Sequence, residues 1–277
     1  MSEIADHGLN HLPAAAARLG FAAARPRGVA VGCVIGLTAL AWLYLGIVQA
    51  GRGDLFTALC RPIAGAGFVE LGSALLVLGM WSAMVLAMML PSAAPMILTY
   101  AEIADTAAHK QMPVVSPFVL TAGYAAVWLG FAMVATAIQS GLAATLLDKA
   151  MPAGGLVSGA LFIGAGLYQF SSLKQACLRQ CRSPFQFFFV NWATTTRGVF
   201  RLGAKQGLYC LGCCWAAMLL MVALGVMNIL WMTVLAVVMT LEKLASGTRL
   251  SSAIGAGFIV IGLLFVLSAF APIWPIR

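Results

Sequence analysis

Charge is what this chain lacks. Only 9% of its 277 residues are Asp, Glu, Lys or Arg, while 62% are hydrophobic; an ordinary soluble domain is roughly 25% charged. A water-facing surface cannot be covered from that stock, which excludes a soluble enzyme or binding module and points to a lipid bilayer. The scarcest charge is negative, with 8 Asp plus Glu against 16 Lys plus Arg. The resulting net charge of +8 does not indicate nucleic acid, because no basic patch interleaved with aromatics sits on a soluble domain. Histidine is nearly missing, at three residues. His7 and His11 lie in the N-terminal tail, and His109 sits near Asp105 and Lys110 in a segment read as solvated. There is no Ser/His/Asp arrangement, no nucleotide-binding glycine loop and no Cys-x-x-Cys-His haem site. Nothing in the sequence decides whether the chain is an enzyme.

Strict two-residue alternation is missing too, and its absence excludes a membrane β-barrel. Backbone groups in lipid must then be satisfied within helices. Apolar runs of about 20 residues, long enough to cross a bilayer, recur along the chain. They predict an all-α, polytopic transmembrane helical bundle of about seven spans, at 29–50, 70–100, 117–146, 155–176, 206–227, 229–246 and 251–272. Residues 1–28 are expected to form a cytoplasmic N-terminal tail, and 29–277 a single bundle domain. The first apolar run has no small-residue cleavage site near its end and reads as a retained helix. Pro91 and Pro95 predict a kink or break in the second span. The stretch SPFQFFFVNWATTTRGVF, 183–200, mixes aromatic and polar residues and reads as an interfacial segment.

Lysine and arginine set the expected orientation. Twelve of the sixteen fall on the side of the N-terminus, and only Arg52, Arg61, Lys149 and Arg277 fall on the other. This predicts a multi-pass protein of the bacterial inner membrane with its N-terminus in the cytoplasm and its C-terminus outside. Small residues at Gly32/Gly36, Gly155/Gly159 and Gly203/Gly207 have the spacing that lets helices approach closely.

Against this apolar background, QGLYCLGCCWAAMLLM, 206–221, carries three cysteines within five residues. Cys210, Cys214, Met218 and Met221 fall at i, i+4, i+8 and i+11, a continuous stripe on a helix. Cys213 is one residue off the stripe, within reach of a ligand held by Cys210. The preceding segment, YQFSSLKQACLRQCRSP, places Lys174, Cys177 and Cys181 on one face. By the charge argument, five of the seven cysteines gather at the cytoplasmic end of adjacent helices; Cys33 and Cys60 are left without a role. The second span adds Met84, Met88 and Met89, and the sixth adds Glu242, a carboxylate of the kind that is costly in a membrane helix and usually functional.

Thiolates and thioethers are soft ligands suited to Cu(I), and thiolates also to Zn(II). In a reducing compartment these thiols are expected to be free. Lys174, Arg179 and Arg182 are near enough in sequence to favour the thiolate. The candidate metal ligands are therefore Cys177, Cys181, Cys210, Cys213 and Cys214, with Met84, Met88, Met89 and Met218 deeper in the bundle and Glu242 as an oxygen donor. Methionine at helical spacing also serves as core filler. The leading expectation is a soft-metal site, copper(I) first and zinc next, for metal handling, transfer or transport. Its partners would be the bilayer, the metal ion and a metallochaperone or membrane-protein partner, with no nucleic acid. A membrane thiol–disulfide protein and a non-catalytic scaffold are the alternatives.

Four blocks in order, MWSAMVLAMMLPSAAPM, YQFSSLKQACLRQCRSP, GLYCLGCCWAAM and LEKL, carry a family likeness. Over roughly residues 70–245 the chain resembles an uncharacterised bacterial family of polytopic proteins, a domain of unknown function described as predicted metal-binding integral membrane proteins. The resemblance implies metal binding and points to the same cysteines, to Met84, Met88 and Met89, and to Glu242. It implies no substrate or reaction.

Overall fold

The computed structural model describes residues 26–50, 68–146, 154–224, 229–245 and 247–270. Among them every regular element is an α-helix: α1 Pro26–Ala50, α2 Phe68–His109, α3 Pro117–Leu146, α4 Gly154–Gln169, α5 Ser172–Arg182, α6 Pro184–Val190, α7 Thr196–Leu224, α8 Ile229–Leu244 and α9 Arg249–Phe270. Cys60, His7, His11 and most of the N-terminal tail lie outside the described residues.

Among the described residues, four stretches are long and apolar enough to cross a membrane: Ala30–Ile47, Ala74–Ala107, Pro117–Gln139 and Arg249–Phe270. A fifth results if α4 and α5, bent by 65° to one another, count as one span. α7 and α8 are not among them; α7 opens with Arg197, Arg201 and Lys205, and α8 has 16 residues. The expected span 155–176 is thus interrupted. Its break has a local cause: the Ser171 side chain accepts the Lys174 N–H at 3.1 Å and caps a new helix, satisfying one of the donors a helix start leaves open. α6, at 7 residues with Pro184 in its first turn, is far below the roughly 20 residues of a crossing.

The two prolines leave α2 unbroken, with both inside its 42 residues. Proline at 91 removes the N–H that would have bonded the Ala87 carbonyl. The Trp42 indole of α1 fills that vacancy, donating to Ala87 O at 3.1 Å. A freed carbonyl is thereby converted into a tie between helices, as a buried polar group requires. On the other side of α2, Trp81 donates to Gln139 of α3 at 2.8 Å.

Close packing elsewhere depends on glycine. On α7, Gly203 lies against the Leu120 carbonyl of α3, and a Cβ on Gly207 would come within 3.1 Å of the Tyr124 carbonyl. α4 and α9 meet through Gly159 and Gly262, where a Cβ on either would stand 2.8 Å from the other's carbonyl oxygen. The expected pairs 155/159 and 203/207 therefore mark real contacts. Gly32 and Gly36 do not: a Cβ on either meets nothing within 4 Å. One cluster of buried apolar residues, drawn from α1 to α9, forms the core. Large apolar side chains also cover the outside, including Ile35, Leu40, Leu167, Leu264 and Phe189.

Candidate metal centre

The 3.6-residue repeat of α7 turns Cys210, Cys214, Met218 and Met221 toward the core, where each is at most 2% exposed. Cys213 is buried beside them. The Sγ atoms of Cys210, Cys213 and Cys214 all lie within 4.8 Å of one another, with Cys213 and Cys214 at 3.3 Å. Three sulfurs around one metal at about 2.3 Å each would stand about 4 Å apart. The observed spacing fits a soft ion with small adjustments of side-chain torsion.

α5 brings the other two cysteines to the same place. Cys181 packs against the buried cluster that holds Cys210 and Cys213, and it lines one cavity with Cys210. One turn earlier, Cys177 packs on α7 at Gly212, where a Cβ would come within 2.7 Å of its sulfur. Any residue larger than glycine at 212 would push Cys177 away. The Tyr168 hydroxyl of α4 donates to the Gly212 carbonyl and pins this turn. All five cysteines singled out from the sequence thus meet at the α5–α7 contact, and the described cysteines are free thiols.

The cation at the sulfurs is not one of those expected. Lys174 donates to Glu242 at 2.8 Å in a fully buried pair. Arg182 donates to the Glu242 carbonyl at 2.9 Å and to the Gly247 carbonyl at 2.7 Å, and Arg179 bonds the Gln175 carbonyl of its own helix. The charge at the thiols comes from Lys243. Its ammonium donates to Cys210 Sγ at 3.1 Å and to Ser92 Oγ at 2.7 Å. Ser92 passes the bond on to the Met89 carbonyl at 2.8 Å. The Tyr124 hydroxyl lies 3.0 Å from Cys210 Sγ and donates to the Met89 carbonyl at 3.3 Å. Cys210 is thus held by side chains of α3 and α8, and both of those are tied to one turn of α2. Neighbouring groups that fix a ligand's position tune a metal site almost as strongly as the ligands.

Glu242 belongs to the ion pair with Lys174 rather than to the sulfur group, although its Oε1 has no hydrogen-bond partner among the described residues. Met84, Met88, Met89 and Met218 are all buried in the core. Lys243, Tyr124 and Ser92 were not singled out from the sequence. The available signal was the LEKL block itself, since a lysine next to a buried glutamate in an apolar helix must also find a partner.

An all-α bundle with soft donors and a lysine buried at its centre is the class defined by fold and site. A family model described as PpoB2, copper chaperone, matches residues 78–265, and the chain belongs to that family. The matched region contains every one of the candidate ligands. No curated protein and no solved structure matches the chain.

Proposed function

We propose that this chain is an integral membrane protein that handles copper(I), binding it through Cys210, Cys213 and Cys214 with Cys181 and Cys177 alongside. The observation that carries the reading is the trio of buried thiols within 4.8 Å of one another, in a chain whose family is described as copper chaperone. Charge balance supports it. Copper(I) on two of these sulfurs as thiolates, with the third a neutral thiol, carries one negative charge, and the Lys243 ammonium at Cys210 offsets it. Two uncompensated buried charges would be far more costly. Zinc on three thiolates would balance equally well. Copper is favoured because thioethers are the other soft donors nearby, and the oxygen donor zinc would prefer, Glu242, is engaged by Lys174.

In this reading the outward apolar side chains face lipid, and α7 and α8 complete a count near seven spans. The bundle sits in the bacterial inner membrane with its thiols toward the cytoplasm, where most of the basic residues lie. Met84, Met88, Met89 and Met218 are weaker sites deeper in the bundle, of the kind an ion can leave as well as enter. A metallochaperone or a membrane-protein client is the partner.

The test is elemental analysis of protein purified in detergent under reducing, anaerobic conditions. Wild type should hold near-stoichiometric copper, and a variant lacking Cys177, Cys181, Cys210, Cys213 and Cys214 should hold none. Stoichiometric zinc would replace copper as the cargo. No metal, even after reconstitution with copper(I) and zinc, would sink the metal reading in favour of thiol redox chemistry or a structural role.

A further inference from the structure

A cavity of about 480 Å³ opens between α2, α3, α5, α7 and α8. That volume is within the range that takes a small molecule, and it is far more than a bare ion needs. Of the clustered cysteines, Cys181 and Cys210 line it; Cys213 and Cys214 do not. Anything entering therefore meets those two sulfurs first.

The charge of the cavity is one-sided. Arg182 and Lys243 line it, and no carboxylate does among the described residues. Among the described residues no carboxylate answers Arg182, and Lys243 has only the Cys210 sulfur to face. Arg182 spends Nε and Nη1 on backbone carbonyls and leaves Nη2 without a partner. Lys243 spends its ammonium on a hydroxyl and a sulfur. A cleft lined by charge of one sign concentrates the opposite charge. It repels a free cuprous ion and attracts an anion.

Resting on the copper reading above, we propose that this cavity receives copper(I) not as the free ion but as an anionic complex with a small, carboxylate-bearing thiol. Arg182 supplies the attraction, and Cys181 and Cys210 carry out the exchange. Each copper–sulfur bond to the carrier that breaks is replaced by one to a cysteine. The proton leaving the cysteine thiol goes to the departing carrier sulfur. Copper stays cuprous, so no oxidant or reductant takes part.

The experiment is anaerobic stopped-flow loading of the full chain in detergent, followed by copper–thiolate absorbance. Copper(I) is offered as its glutathione complex, as its 2-mercaptoethanol complex and as the acetonitrile-stabilised ion. Glutathione carries carboxylates; 2-mercaptoethanol carries none. Wild type should load roughly tenfold faster from the glutathione complex than from the 2-mercaptoethanol complex at low salt. That margin should shrink as salt is added. Arg182→Gln should abolish the preference, and Arg182→Lys should keep part of it. Equal rates from both thiol complexes in wild type, or a preference that survives Arg182→Gln, would overturn the proposal. If Arg182→Gln does not fold, the wild-type carrier ratio and its salt dependence still decide. Loading from acetonitrile with no carrier preference would remove this inference alone, whereas no loading from any source would remove the copper reading with it.

Discussion

Where α4 meets α9, glycine faces glycine; where α7 meets α5 and α8, sulfur faces sulfur and a lysine. The first contact is made by bare backbone. Gly159 and Gly262 approach each other's carbonyls, as do Gly166 and Gly255, and Phe162 stacks on Phe265 at 5.7 Å between ring centroids. The polar side chains buried in those two helices, Gln169 and Ser251, carry no charge. The second contact buries two lysines, a glutamate and three thiols among apolar side chains. A fold has no need of such groups for packing, and each is costly unless paired. The difference teaches where to look for function. The close-packed pair holds the bundle together; the polar centre holds charged and sulfur groups that packing alone does not require.

The largest way to break this contrast is at Lys174 and Glu242, whose side chains are 2% and 4% exposed. Removing one partner of a buried ion pair leaves an uncompensated charge and costs about 3–5 kcal/mol. Glu242→Ala should therefore destabilise the protein by about that amount. The Lys174→Ala/Glu242→Ala double variant should lose less than the single, because no charge is stranded. Thermal unfolding in detergent measures both. A double variant worse than Glu242→Ala alone would mean the pair is a net stabiliser rather than a cost carried for the site.

A smaller break is available on the other side of the comparison. A Cβ on Gly255 would stand 2.8 Å from Gln169 Cβ and 2.9 Å from a Phe170 ring carbon. Gly255→Leu should force α4 and α9 apart and cost about 1–3 kcal/mol, the usual range for overpacking. Copper bound per folded chain should not change. If Gly255→Leu lowered copper binding at unchanged stability, the two regions would be coupled and their separation into scaffold and centre would fail.

The sequence carried these two regions unequally. Helical periodicity alone brought Cys210, Cys214, Met218 and Met221 onto one face, and the spacing of Cys177 and Cys181 put them opposite. Small-residue spacing marked the α4 side of the α4–α9 contact, at Gly155 and Gly159, without naming the partner helix. The same rule failed at Gly32 and Gly36, because a repeat shows that a close approach is permitted without showing that a neighbour is there. The assignment of charges was not legible. Glu242 and Lys243 are adjacent and point about 100° apart on a helix, yet both are buried. Periodicity offers no way to choose which of them faces the thiols. Lys174 is close to Cys177 in sequence, but its partner lies 68 residues away. The break at Ser171 was hidden because the polar helix that follows it, SLKQACLRQCR, reads equally well as the interfacial end of the apolar run before it.

The methionines supply the smallest expected effect and the finest discrimination. Met84 and Met218 are both 0% exposed, and leucine nearly matches methionine in volume. Met84→Leu and Met218→Leu should each cost less than about 1.5 kcal/mol of stability, whether the residue is core filler or a thioether step for copper. Stability thus cannot separate the two roles. Stoichiometry cannot either, because the thiols hold the resting ion in both cases. Exchange kinetics can. A thioether that accepts copper from the thiols lowers the barrier to leaving, and leucine offers no lone pair in its place. If these sulfurs are steps, release to a competing cuprous chelator should slow by roughly tenfold, about 1.4 kcal/mol in the barrier. The control is Met112, which is 52% exposed and outside the core; Met112→Leu should leave release unchanged. Release at the wild-type rate in Met84→Leu and Met218→Leu would return both residues to packing, and the soft-donor centre would end at the cysteines.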